Sequence, residues 1–196
     1  MRILNLYRAL LGALLLFATA GVFANGGPVA RSIEGDGIDL FEEATESTLV
    51  LLFVAVECPI SNRFVPSVNA IYEEYRSDGF EMRTVYTDDM FSREKILKHR
   101  TDYSYGMPAL IDFDRDLAKF CGATVTPEAV VYVRDDSGSY GMVYRGRIDN
   151  QYVDFGKWRL KATREDLREV LELARKGEAG GLALRTTEAI GCYIGD

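Results

Sequence analysis

The chain has 196 residues, 47% of them hydrophobic, with 30 acids against 23 bases and a formal charge of −7. That length and apolar share suffice for one well-cored domain. The acidic balance gives the molecule as a whole no electrostatic attraction for nucleic acid or anionic lipid. A single histidine gives little support to a Cys-His hydrolase or a multi-histidine metal site.

The first 24 residues have the order of a secretory signal, with Arg2 and Arg8 ahead of the mostly apolar Ala9 to Ala20 and a small-residue cleavage site at Val22-Phe23-Ala24. Cleavage would start the mature chain near Asn25; removing 24 of 196 residues leaves 172, and the charge moves from −7 to −9. An uncleaved membrane anchor is the competing reading, although the apolar segment is short for a span. Asn25 to Gly37 is glycine-rich and expected to be loose, and Ile38 to Phe41 is expected to form a short edge strand.

Leu49-Val50-Leu51-Leu52-Phe53-Val54-Ala55-Val56 is an unbroken apolar run that predicts a buried strand. Glu57-Cys58-Pro59 follows directly, which puts a thiol where the strand turns into a helix. Unpaired N–H groups and the positive dipole end at a helix start favour thiolate, so Cys58 is a candidate nucleophile. Val65, Val68, Tyr72 and Tyr75 share one face of a helix predicted over about Asn62 to Ser77, with a kink expected at Pro66. Phe80 to Tyr86 reads as a second core strand, Ser92 to about Asp102 as a helix capped by Ser92, and Ala109 to Asp112 as a short strand. Leu117 to Cys121 is a short helix stopped by Gly122. Ala129 to Val133 and Met142 to Tyr144 flank the turn-rich Asp135-Asp136-Ser137-Gly138 and predict a hairpin. Thr163-Arg164-Glu165-Asp166 is a capping-box-like start for a last helix carrying Leu167, Val170, Leu171 and Ala174 on one face. The order β-α-β-α-β-α-β-β-α implies an α/β domain with a mixed central sheet and helices on both faces.

Cys58 before a helix that carries Pro66 eight positions later, with the Val125-Thr126-Pro127-Glu128 loop ahead of a strand, resembles the thioredoxin superfamily. Adding Tyr144-Arg145-Gly146-Arg147-Ile148-Asp149-Asn150, the chain is similar over roughly Leu40 to Leu173 to the redoxin branch of AhpC/TSA-like and TlpA-like proteins. The resemblance implies a thioredoxin-like domain over 38–176, a cis Pro127 facing Cys58, and thiol-disulfide oxidoreductase chemistry on protein or small-molecule thiols and disulfides. It also implies substrate contacts from Pro59, Ser61, Thr126 and Pro127, with Arg147 as a candidate for an anionic group. No cofactor or metal is expected. Position 62 is Asn where a copper-delivery relative would want a second Cys, and the calcium-like Asp112-Phe113-Asp114-Arg115-Asp116 fails at Leu117 and Ala123.

Three departures bear on function. Ser61 stands where a dithiol thioredoxin has its second Cys, and Leu52 where such proteins often carry a buried acid. Leu51 and Ala55 replace the Pro and Thr of a peroxidatic site, which weakens a peroxidase reading. Three cysteines allow three pairings, each leaving one thiol over. Cys121, on a short amphipathic element, reads as buried packing; Cys192 lies on the 177–196 segment, expected to be a flexible tail, and is either a resolving thiol or incidental. Arg145 and Arg147 read as surface groups with Asp149 as an ion-pair partner, and His99 as solvated. The function these residues support is an exported, periplasmic or secreted thiol-disulfide oxidoreductase with Cys58 as nucleophile and Cys192 as its resolving partner. The alternatives are a redoxin-fold binding module with little redox turnover and a peroxiredoxin-like peroxidase.

Overall fold

A computed structural model describes residues 28–180 and 183–195. The signal-like segment 1–24 therefore lies outside the described residues. In chain order the elements begin with β1 (Val29–Ser32), β2 (Gly37–Asp39), α1 (Leu40–Glu43), β3 (Thr48–Val54) and α2 (Pro59–Tyr75). They continue with β4 (Phe80–Tyr86), α3 (Arg93–Asp102), β5 (Ala109–Ile111), α4 (Asp116–Cys121), β6 (Val125–Thr126), β7 (Glu128–Arg134) and β8 (Tyr140–Gly146). The last are β9 (Tyr152–Asp154), β10 (Lys157–Trp158), α5 (Asp166–Arg175), β11 (Arg185–Thr186) and β12 (Cys192–Tyr193).

One eight-stranded sheet runs β11-β8-β7-β3-β4-β5-β1-β2. β4 lies parallel to β3 and β5, whereas β7 pairs antiparallel with β3 and β8, so the sheet is mixed. All seven residues of β3 are buried. Its period of two divides the core: Val50, Leu52 and Val54 face α2, α3 and α5, while Leu49, Leu51 and Phe53 face α1 and α4. Each fully buried Leu or Phe of this kind contributes about 1.5–3 kcal/mol. The fold is the thioredoxin-like α/β architecture that the sequence predicts, with helices on both faces.

Several local expectations are corrected. Residues 28–37 are not loose: Val29–Ser32 pairs with both β2 and β5 and extends the main sheet. The edge strand stops at Asp39, whose Oδ1 accepts from the Phe41 and Glu42 N–H groups at 3.1 Å and starts α1. α2 begins at Pro59 rather than Asn62, with Cys58 itself as its N-cap. Thr163 does not cap α5; its hydroxyl accepts from the Asn150 side-chain amide within a turn that Asn150 closes, and Glu165 stands at the N-cap with no side-chain cap bond. The 177–196 segment is not free: β11 joins the edge of the sheet beside β8, and β12 pairs with β6. Gly146 makes that docking possible, since its φ of 151° and the closeness of the Thr187 backbone leave no space for a Cβ.

Candidate active site

The site forms where β3 ends. After Val54 the chain turns through residues 55–57 and delivers Cys58 to the start of α2, with Pro59 in the first helical turn where its missing N–H costs nothing. The Ser61 N–H donates to Cys58 Sγ at 3.4 Å, and the Ala55 N–H donates to Ser61 Oγ at 3.4 Å. Ser61 therefore knits the turn together from the position where a second Cys is absent. The Thr126–Pro127 peptide is cis, and the Thr126 carbonyl oxygen lies 3.1 Å from Cys58 Sγ. Glu128, buried behind that loop, accepts from the Thr124 N–H at 2.8 Å and the Val125 N–H at 3.4 Å, so β6 is held by a carboxylate as well as by its strand partner.

Cys58 and Cys192 form a disulfide, with Cα atoms 5.9 Å apart across 134 positions of sequence. Antiparallel pairing sets Cys192 opposite Thr126 and Tyr193 opposite Val125, and the Ile194 N–H donates to the Thr124 carbonyl at 2.9 Å. A Cβ at Gly191 would fall inside the Thr126 carbonyl, so only glycine permits this approach. Ile194 is buried on the α4 side of the sheet and anchors the end of the segment. Cys58 is buried, whereas Cys192 is half-buried, so Cys192 is the more exposed residue of the pair.

A cavity of about 430 Å³ opens beside the disulfide. Its walls include Glu57, Asp88 and Asp89, with Arg115 as a cation 3.6 Å from Asp89, and the apolar Met90 and Phe91. Cys121 is remote from this chemistry: it packs on the other face of the sheet, with Sγ 3.5 Å from the Tyr132 hydroxyl, and burial pushes its thiol up to about 12.

The structure thus brings Cys58, Pro59, Ser61, Thr126, Pro127 and Cys192 to one place, and leaves Arg147 out of it. Arg147 Nε donates to Asp166 Oδ2 at 2.7 Å instead of meeting Asp149 or the sulfurs. Asp166 is fully buried and also meets Arg164 at 3.1 Å and Arg185 at 2.8 Å, tying α5 to β11. Three guanidinium groups on one carboxylate are a structural hub, invisible in sequence because its members lie up to 38 positions apart. The calcium-like Asp112 has its two carboxylate oxygens engaged by the Leu117 and Ala118 N–H groups of α4, at 3.0 and 2.8 Å.

His99 is likewise buried rather than solvated. The Asn62 amide donates to the Val56 carbonyl at 3.0 Å, which leaves Asn62 Oδ1 to accept from His99 Nε2–H at 2.9 Å; Nδ1 then accepts from the Tyr86 hydroxyl at 3.1 Å. A chain of hydrogen bonds therefore runs from β4 through α3 and α2 to the loop that carries Cys58. Sequence reasoning missed it because His99 sits between Lys98 and Arg100 and the helix has no apolar stripe to mark an inner face.

Comparison with known proteins agrees with this architecture. The AhpC/TSA family model matches residues 30–146. No curated protein matches. Among solved structures, a hypothetical protein from Sinorhizobium meliloti is 25% identical with a TM-score of 0.69, covering 86% of this chain and 92% of its own. An uncharacterized conserved protein from Geobacillus kaustophilus is 22% identical with a TM-score of 0.71, covering 87% and 88%. A thiol-disulfide oxidoreductase from Bacteroides fragilis shares the fold at 16% identity and a TM-score of 0.52, over 61% of this chain and 88% of its own. The family match contains Cys58 and the Thr126–Pro127 loop and stops before Cys192, so the bonded partner comes from outside the matched region. With more than half of its length inside that family model and its first cysteine at the end of the central strand, the chain belongs to the AhpC/TSA family.

Proposed function

We propose that the protein is an exported thiol-disulfide oxidoreductase acting on protein or small-molecule disulfides, with Cys58 as nucleophile and Cys192 as the resolving thiol. The observation that carries this reading is the disulfide between a helix N-cap cysteine and a cysteine on a separate docked segment, at the mouth of a cavity. In the reduced protein, the Ser61 N–H and the start of α2 favour the Cys58 thiolate. That thiolate attacks one sulfur of a substrate disulfide; a mixed disulfide forms and the other substrate sulfur leaves as a thiolate that takes a proton from solvent. The Cys192 thiolate then attacks Cys58 Sγ, the mixed disulfide breaks, and the second substrate thiolate leaves. The substrate gains two electrons and the protein loses two, ending as the Cys58–Cys192 disulfide. An external dithiol then reduces the protein: one of its thiolates attacks the sulfur of the half-buried Cys192 and expels the Cys58 thiolate, and its second thiolate breaks that mixed disulfide, releasing the Cys192 thiolate as the donor leaves as a disulfide. Export rests on the basic, apolar and small-residue order of residues 1–24, with a mature start near Asn25.

The test is disulfide reductase turnover with a dithiol donor. Cys58→Ser is expected to abolish it, and Cys192→Ser to accumulate a mixed disulfide at Cys58 that mass spectrometry locates. A second reading, a binding module in which the bond only staples the tail, draws support from the strand pairing and Ile194 packing that hold the tail independently of sulfur. Full turnover in Cys58→Ser would sink the enzyme reading; a disulfide that resists the donor would favour the staple.

A further inference from the structure

We propose that the β9–β10 hairpin is a docking surface for an anionic lipid bilayer. The hairpin stands apart from the main sheet as its own two-stranded ribbon, and residues 153–161 are all exposed. Of the eleven large hydrophobic side chains exposed among the described residues, four fall here: Val153 at 50%, Phe155 at 66%, Trp158 at 46% and Leu160 at 99%. Scattered exposed apolar groups need no explanation, but a concentration of this kind marks an interaction site. Gly156, at φ 73°, turns the tip and presents Phe155 at its end. The base is firm: Tyr152 is buried against Phe64 of α2, with ring centroids 5.6 Å apart, and Arg63 stacks 4.4 Å over the Trp158 ring.

The occupant follows from the charges between those apolar groups. Lys157, Arg159 and Lys161 alternate with Trp158 and Leu160, and Asp154, bonded to Lys157 at 3.1 Å, is the one acid in 151–164. Lysine is depleted from the cores of protein interfaces, whereas a strip mixing Trp, aliphatic and Lys/Arg side chains matches the headgroup boundary of an anionic membrane. The chain's net charge of −7 does not oppose this, because charges beyond about 8 Å from the surface are screened at physiological salt.

Trp158 is the sole tryptophan, so its emission reports this site alone. The full chain is mixed with vesicles of phosphatidylglycerol and phosphatidylcholine, and with phosphatidylcholine alone. A blue shift and quenching by brominated lipid are expected on the anionic vesicles, weakening as salt rises. Lys157→Gln with Lys161→Gln is expected to lower partitioning about 30-fold, since each cation near such a surface contributes a roughly fivefold gain. Phe155→Ser with Leu160→Ser, at positions whose exposure spares the fold, is expected to remove the quenching. The variants retain residues 1–24, so any anchoring by that apolar segment is common to all of them. Unshifted Trp158 emission, an equal response on neutral vesicles, or binding to polyglutamate but not to lipid would each overturn the proposal.

Discussion

The buried His99 is hydrogen-bonded to Asn62, which stands one helical turn along α2 from Cys58. Desolvation holds the His99 imidazole below its usual value, with the nearby Arg100 and Lys95 acting in the same direction and Asp102 opposing them. The neutral ring accepts from the Tyr86 hydroxyl at Nδ1, and protonation would set a donor against that donor. Because the folded value lies below the unfolded one, the contribution to stability is present above about pH 6.5 and is lost as pH falls through the folded value. Urea unfolding of the protein between pH 7.5 and pH 5 should show stability falling with acid, and the fall should be smaller in His99→Gln. Equal pH dependence in the two proteins would remove His99 as its source.

At the scale of elements, the C-terminal segment is held by backbone fit as much as by sulfur. Gly191 passes against the Thr126 carbonyl, while Gly195 has only ordinary contacts with the Arg115 side chain, 3.7 Å or more away. Gly191→Ala should therefore push β12 off β6 and slow formation of the Cys58–Cys192 bond, whereas Gly195→Ala should leave it unchanged. Alkylation and mass spectrometry of free thiols during oxidation compare the two directly; equal rates would show that the strand pairing does not guide the sulfurs together. β11 is secured differently, through Arg185 on Asp166 and Glu169 at 2.8 and 2.9 Å. The tail is thus pinned at both ends of its course, which a glycine-rich sequence alone does not suggest.

For the molecule as a whole, the disulfide closes a loop of 134 positions and restricts the unfolded chain more than a local Cys-x-x-Cys bond would. Its reduction should lower the unfolding free energy by about 2–4 kcal/mol, read as a lower urea midpoint for the reduced protein than for the oxidised one. An unchanged midpoint would mean that the bond and the open thiols are equally compatible with the fold. Oxidation requires the tail beside Cys58, so redox state and tail docking are linked, although strand pairing also holds the tail without the bond.

The amino-acid sequence by itself determined the order of core strands and helices, because unbroken apolar runs and 3.6-residue stripes such as Val65-Val68-Tyr72 register burial locally. It also marked Cys58, since a thiol at a strand end before Pro59 is a local pattern, and Gly122, which at φ 67° ends α4 as expected. Only the tertiary structure decided which of three thiols pair, where Arg147 points, and that His99 lies inside. Those outcomes depend on residues brought together from distant positions, as Asn62 meets His99 and Thr126 meets Cys192. The tail illustrates the reason: its polar, glycine-containing stretch has no periodicity of its own, and its conformation is set by the edges of β6 and β8 that it completes.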